Sequence, residues 1–188
     1  MFVEIPIRRG NRLLNPGCVV LVTAAHEGRS NFMPAAWVTP VSHDPPLCAV
    51  AIAPKRFTHG LIVGSGEFGL SIPGLDLAEK VRHAGDISGA EVDDKFAAVG
   101  LTPEPGVKIG APRIAECLGH LECVVEQSVT AGDHTVFVGR IVAAFAKEGV
   151  FEETWRLPED RALRPLHHLG GPWFAVLEKR IEVASHQY

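Results

Sequence analysis

The sequence predicts a mainly β fold, a barrel of six or more strands with short helices inserted after the third. Three observations predict it. Apolar runs at residues 18–25, 47–53 and 135–146, and a partly alternating stretch at 118–127, place strands in both halves of the chain. Polar turns with glycine separate them, His26-Glu27-Gly28-Arg29-Ser30-Asn31 early and Gly132-Asp133-His134 late. Helical patterns are short and confined to residues 58–99.

Residues 18–25 are almost continuously apolar, which predicts a strand buried on both faces. Residues 31–46 read as an extended segment followed by a proline-locked corner. Pro34 and Pro40 remove backbone donors, so this segment is a bent edge strand and not a central one. An edge leaves N–H and C=O groups free to bond a heterocycle, and the small Ala35 and Ala36 let a flat ligand lie close. Residues 47–53 form the third strand, and the short turns between the three predict an antiparallel meander. Thr58 is the expected N-cap of a helix over 58–63. Gly64-Ser65-Gly66-Glu67-Phe68-Gly69 matches G-x-G-x-x-G letter for letter. It follows a helix and runs into a strand, the reverse of a dinucleotide fingerprint, so it reads as a turn. Asp76 with Glu79 has capping-box spacing for a helix ended by Gly85. A second short helix covers 93–99, ended by Gly100. Residues 102–112 read as a loop passing over the barrel surface. In the second half, Gly139 marks a bend or bulge in its strand. His167-His168-Leu169-Gly170-Gly171 then precedes a last strand at 175–177.

The 188 residues suit one domain over 1–188, with a core over roughly 15–181. Hydrophobic residues at 46% and charged residues at 21% fit a soluble globular protein. A net charge of -4 without a dense Lys/Arg cluster argues against a nucleic-acid surface. No apolar run reaches the length of a membrane span, and Met1 to Arg9 lacks the apolar core of a leader, so the expected location is cytoplasmic. Cys18, Cys48, Cys117 and Cys123 form no C-x-x-C pair and read as buried thiols. The adjacent His167 and His168 suit neither helical nor same-face strand ligation, so no metal is expected.

Several pieces, in this order and spacing, carry a family resemblance. They are Val19-Val20-Leu21-Val22-Thr23, the segment from Asn31 to Ser42, Asp44-Pro45-Pro46, and Lys55-Arg56-Phe57-Thr58. Gly66-Glu67-Phe68, Gly119-His120-Leu121-Glu122-Cys123, Gly132-Asp133-His134 and the final His167-His168-Leu169-Gly170-Gly171 follow. Together they resemble the flavin reductase-like family, FMN-binding split barrels that include flavoredoxin. The resemblance implies a split β-barrel with short inserted helices, a homodimer, and non-covalent FMN lying against the segment at 31–42.

The residue chemistry agrees with that implication. Lys55, Arg56 and the helix start at Thr58 combine charge, a hydroxyl and free N–H groups suited to a phosphate, although a basic pair in a turn is ordinarily surface. Asn31, Met33, Ala35, Ala36, Trp37 and Val38 offer an apolar wall and a backbone edge for the ring. Thr39 and Ser42 are placed to reach ribityl or phosphate oxygens. The expected activity is an NAD(P)H-dependent flavin reductase passing electrons through FMN to an acceptor or a partner monooxygenase. The donor, NADH or NADPH, stays open, and the alternative is an FMN-bound electron carrier without nicotinamide turnover. No acid–base side chain is obligatory for such chemistry. His167 and His168 are candidates for positioning the nicotinamide.

Overall fold

The computed structural model describes residues 6–183. Residues 1–5, part of the amino-terminal stretch discussed above, lie outside the described residues.

Strands β1 (Gly17–Cys18), β2 (Val20–His26), β3 (Arg29–Ala35), β4 (Val38–Ser42) and β5 (Leu47–Ile52) precede helix α1 (Phe57–Ser65) and strand β6 (Glu67–Ile72). Helices α2 (Ala78–Asp86) and α3 (Lys95–Val99) follow, then β7 (Pro103–Glu104), β8 (Arg113–Ile114), and the long β9 (Gly119–Ala131) and β10 (His134–Ala146). β11 (Leu166–Gly170) and β12 (Trp173–Val176) are the last strands among the described residues. Seven strands form one antiparallel sheet in the order β3-β2-β6-β9-β10-β5-β4, the split barrel expected from the sequence. β1, β11 and β12 form a small sheet beside it.

The expected meander is not formed. β3 and β4 are consecutive in the chain yet occupy opposite edges of the sheet. Their prolines explain this. Pro34 sits in one edge strand and Pro40 in the other, where a missing N–H leaves no ladder bond unmade. Ala36 and Trp37 cross between the two edges, and Ala51 N–H bonds the Trp37 carbonyl at 3.0 Å. That bond extends the β4–β5 ladder by one step, so Trp37 already belongs to the β4 edge.

β2 is buried on both faces, as its continuous apolar run predicts. Val20, Val22 and Ala24 pack in the barrel with Val50, Ile52, Phe68 and Phe137. Val19, before it, and Leu21 pack on the other side with Phe32, Val81, Phe96 and Leu166, beneath α2 and α3. The bulge expected at Gly139 is present, as a register shift between Val138 and Gly139. Cys48, Cys117 and Cys123 are buried thiols and Cys18 is half-buried.

Helix starts differ from expectation. Thr58 is not an N-cap but lies inside α1, fully buried, with its hydroxyl accepting from Asn31 Nδ2 at 2.8 Å. That bond engages the hydroxyl, and Arg56 takes the cap position with its backbone alone. Asp76 belongs to a 3-10 turn, Leu75–Leu77, and α2 starts after it without a side-chain cap. Gly85 stays within α2. α3 is capped by Asp94, whose carboxylate accepts from Phe96 N–H at 2.9 Å and Ala97 N–H at 3.1 Å, and Gly100 ends it at φ 72°. The long loop before β8 is tied down by carboxylates. Buried Glu122 accepts from Val107 N–H at 2.8 Å and Lys108 N–H at 2.6 Å, and Glu67 accepts from Gly110 N–H at 2.8 Å.

Candidate functional site

The gap between β3 and β4 opens onto a cavity of about 410 Å³. One wall is Met33, Pro34, Ala35, Ala36 and Trp37. Small residues from β5 and just beyond, Ala51 and Ala53, also line it. Val81, Arg82 and Gly85 of α2 and Phe174 of β12 line it too, with His134 and His168 at its margin. The small residues among its lining, Ala35, Ala36, Ala51, Ala53 and Gly85, leave room for a flat group.

A second cavity of about 320 Å³ adjoins it. Met33, Pro34, Arg56 and Gly85 line both. The second is polar, with Asn31, Lys55, Thr58, Ser88 and Lys95 on its walls beside Asp86 and Glu91. Two groups in it have unmet needs. Asn31 donates to Thr58, but its buried Oδ1 has no hydrogen-bond partner, a deficit of about 1–3 kcal/mol for such a group. Gly89 is required there, because a Cβ at that position would stand 2.2 Å from Asn31 Oδ1. Lys95 is 4% exposed. Its ammonium donates to the Ile87 carbonyl at 2.7 Å and lies 5.2 Å from the Phe32 ring centroid, and neither partner carries a charge. Burial, then the nearby Arg56 cation, pushes its pKa down to about 8.

The family model described as flavin reductase like domain matches residues 12–170. The chain belongs to the flavin reductase-like family. Its fold matches that of an FMN-binding protein from Thermus thermophilus with TM-score 0.82 and 32% identity, covering 98% of each chain. A flavoredoxin of Desulfovibrio vulgaris (Miyazaki F) matches with TM-score 0.84 and 28% identity, over 98% of this chain and 97% of the other. Among curated relatives, an NADH-dependent flavin reductase of Pseudomonas fluorescens is 32% identical over 75% of this chain and 78% of its own length.

The residues present fit the cofactor of a flavin reductase-like protein. A ring matches the small-residue cavity, hydroxyl donors match the orphaned Asn31 oxygen, and a phosphate matches the under-compensated Lys95 beside Lys55 and Arg56. The structure gathers most of the residues expected from the sequence. Ala35, Ala36, Trp37 and His168 line the first cavity, Asn31, Lys55 and Thr58 the second, and Met33 and Arg56 both. Four stand apart from these two cavities. Val38 packs into the barrel core, Thr39 is exposed and donates to the Pro40 carbonyl at 3.1 Å, and Ser42 pairs with Leu47 at the hairpin end. His167 engages the Pro165 carbonyl through Nδ1 at 3.1 Å, and His168 bonds the Gly171 carbonyl through Nε2 at 3.0 Å while packing against Phe174 with ring centroids 5.2 Å apart. Successive strand residues face opposite ways, which separates the two histidines.

Sequence reasoning missed Lys95, Arg82, His134 and Phe174. Lys95 opens a short helix that looks like a surface element, and its only local signal is the capping Asp94 before it. In the sequence His134 reads as part of the turn Gly132-Asp133-His134. It bonds Asp133 through Nδ1 at 2.7 Å and lies 4.8 Å from the Trp37 ring. That bond also holds the Asp133 carboxyl below its usual range.

The depressed Lys95 value fixes a pH dependence. An anion beside Lys95 favours its charged form, so binding an anion takes up a proton. Affinity is then full below about pH 8 and declines as pH rises through it. For the protein alone, the unfolded chain holds this proton up to the ordinary 10.5 and the folded chain only to about 8, so this group makes stability rise with pH between those values. Fluorescence titrations from pH 7 to 9.5 are expected to show FMN affinity falling several-fold more than riboflavin affinity. Parallel curves would remove Lys95 from the phosphate site.

Proposed function

We propose that this chain binds FMN non-covalently and acts as an NAD(P)H-dependent flavin reductase, passing electrons through FMN to an acceptor or a partner monooxygenase. The observation that carries this is the join between the small-residue cavity and the cationic one across Met33, Pro34, Arg56 and Gly85. It suits a ring at one end and a phosphate at the other. A bound flavin supplies the two-electron redox chemistry. The protein's part is to hold and expose it. Met33 to Trp37 present one wall to the ring, Asn31 accepts a ribityl hydroxyl, and Lys55, Arg56 and Lys95 hold the phosphate. His168 and Phe174 line the ring cavity, and a histidine against a nicotinamide there would act on rate by positioning it.

The reading extends to one flavin reductase-like domain over the whole chain, a cytoplasmic location and a homodimer. Trp173 at 70% exposed and Trp37 at 49% are large apolar surfaces near the cavity that a second copy would cover. No helix among the described residues is long and apolar enough to cross a membrane.

Stopped-flow reduction of bound FMN by NADH and NADPH tests the activity. His168→Ala is expected to keep FMN and to lose roughly tenfold in reduction rate or nicotinamide affinity, an effect on the scale of one hydrogen bond. His167→Ala, on the opposite strand face, is expected to stay within about twofold. Equal effects in both variants would assign the segment a purely structural role, and no reduction by either donor would contradict the reductase reading.

A further inference from the structure

A third recess lies beyond the ring cavity, between α2 and the turn from β11 to β12. It is lined by Ala78, Glu79, Arg82, His83, Asp86, Pro172 and Phe174. Arg82 and Phe174 also line the ring cavity, so the recess continues it. The polar cavity joins the ring cavity through Met33, Pro34, Arg56 and Gly85, and Asp86 lines both the polar cavity and the recess. With FMN in those two cavities, this recess is the adjoining space for the rest of a dinucleotide whose nicotinamide meets the ring.

Its chemistry is selective. Glu79, Arg82, His83 and Asp86 stand at i, i+3, i+4 and i+7 of α2 and share one face. Arg82 is the permanent cation among them, and its Nη1 lies 3.3 Å from Asp86 Oδ1. A guanidinium next to the ring cavity suits a pyrophosphate. Of the two carboxylates, Asp86 is paired with Arg82 and also lines the polar cavity, which leaves Glu79 as the carboxylate of the recess alone. A carboxylate can accept from a ribose 2′-hydroxyl but repels a 2′-phosphate of charge near −2.

We infer that this recess receives the pyrophosphate and adenylyl ribose of the nicotinamide donor, that Arg82 holds the pyrophosphate, and that Glu79 selects NADH over NADPH. The inference rests on the reductase reading and assigns its donor. In the reaction NADH is oxidised to NAD⁺ and the bound flavin is reduced by the same two electrons, with one proton taken from solvent.

The test uses FMN-loaded protein with three donors: NADH, NADPH and reduced nicotinamide mononucleotide, which lacks the pyrophosphate and the adenylyl half. Calorimetric titration with ADP-ribose gives a binding readout independent of turnover. In the wild-type protein NADH is expected to exceed NADPH at least tenfold in kcat/KM. Arg82→Ala should weaken NADH and ADP-ribose about tenfold, mainly in KM and Kd, and affect the mononucleotide at least fivefold less. Glu79→Gln, on the exposed side of α2, should bring the two dinucleotides within about threefold by improving NADPH. NADPH equal to or better than NADH in the wild-type protein would overturn the inference. So would an Arg82→Ala loss as large for the mononucleotide as for NADH, or no ADP-ribose binding. Those results leave the reductase reading in place. Failure of all three donors, with dithionite still reducing the bound FMN, would overturn both.

Discussion

Lys95→Met is expected to weaken FMN binding about 100-fold while changing riboflavin affinity less than threefold. Lys95 is the cation with least compensation in the phosphate cavity, bonded only to a carbonyl and packed on a ring. A charge-assisted bond to phosphate contributes about 1.5–3 kcal/mol. The upper part of that range is about 100-fold in affinity. Riboflavin lacks the phosphate and so lacks this bond. Methionine keeps the length and the contact with Phe32 but carries no charge. The stability of the protein without FMN is therefore expected to hold or rise, since a buried cation without a counter-charge is replaced by an apolar chain. A weakened site in a stabilised protein separates a ligand role from a folding role. Equal losses for FMN and riboflavin, or a large drop in thermal stability, would assign Lys95 to the fold instead.

Gly139→Ala is expected to cost roughly 3 kcal/mol of stability, the upper end for overpacking a filled core. Thermal unfolding should move down by roughly 6–12 °C for a chain of this size. Gly139 lies in β10 between Cys48 of β5 and Val125 of β9. A Cβ there would stand 2.5 Å from Phe68 Cζ, 2.6 Å from Phe68 Cε1 and 3.0 Å from Cys123 Cβ. Phe68 is fully buried and its ring has no open side to move into. The bulge beside Gly139 bends the longest hairpin of the barrel over that ring. The site lies in the barrel core, so FMN affinity of the folded fraction is expected to change less than threefold. A thermal midpoint within about 2 °C of wild type would show that the bulge absorbs the methyl group.

The local features of this fold were legible in the sequence. The unbroken apolar run through Val20, Leu21 and Val22 foretold a strand buried on both faces, because neither face carries a polar residue there. Gly139 foretold its bulge, and Pro34 with Pro40 foretold edge strands. The long-range features were not legible. β5 pairs with β10, whose Gly139 meets Cys48, and no local signal announces a partner that distant. Without that pairing, β3 and β4 look like neighbours instead of opposite edges.

The same distinction divides the site. Met33, Ala35 and Ala36 follow one continuous strand to its end, so their common wall could be read in order. The crossing at Trp37 breaks the register, and Thr39 and Ser42 beyond it fall outside the two cavities. Strand alternation puts one of His167 and His168 toward the ring cavity, but only the pairing of Cys18 with His167 and Gly17 with His168 fixes which. Lys95 was invisible for a different reason. A lysine opening a five-residue helix is ordinarily solvated, and only the packing of α3 on Phe32 buries it.

The joined cavities are expected to hold FMN, with its phosphate in the polar one. The most direct test compares FMN and riboflavin dissociation constants for the cofactor-stripped protein, with the chromophore released from the purified protein identified by chromatography. The expected result is a yellow protein that releases FMN and binds it at least ~100-fold more tightly than riboflavin. A protein that carries no flavin and binds the two equally weakly would contradict it.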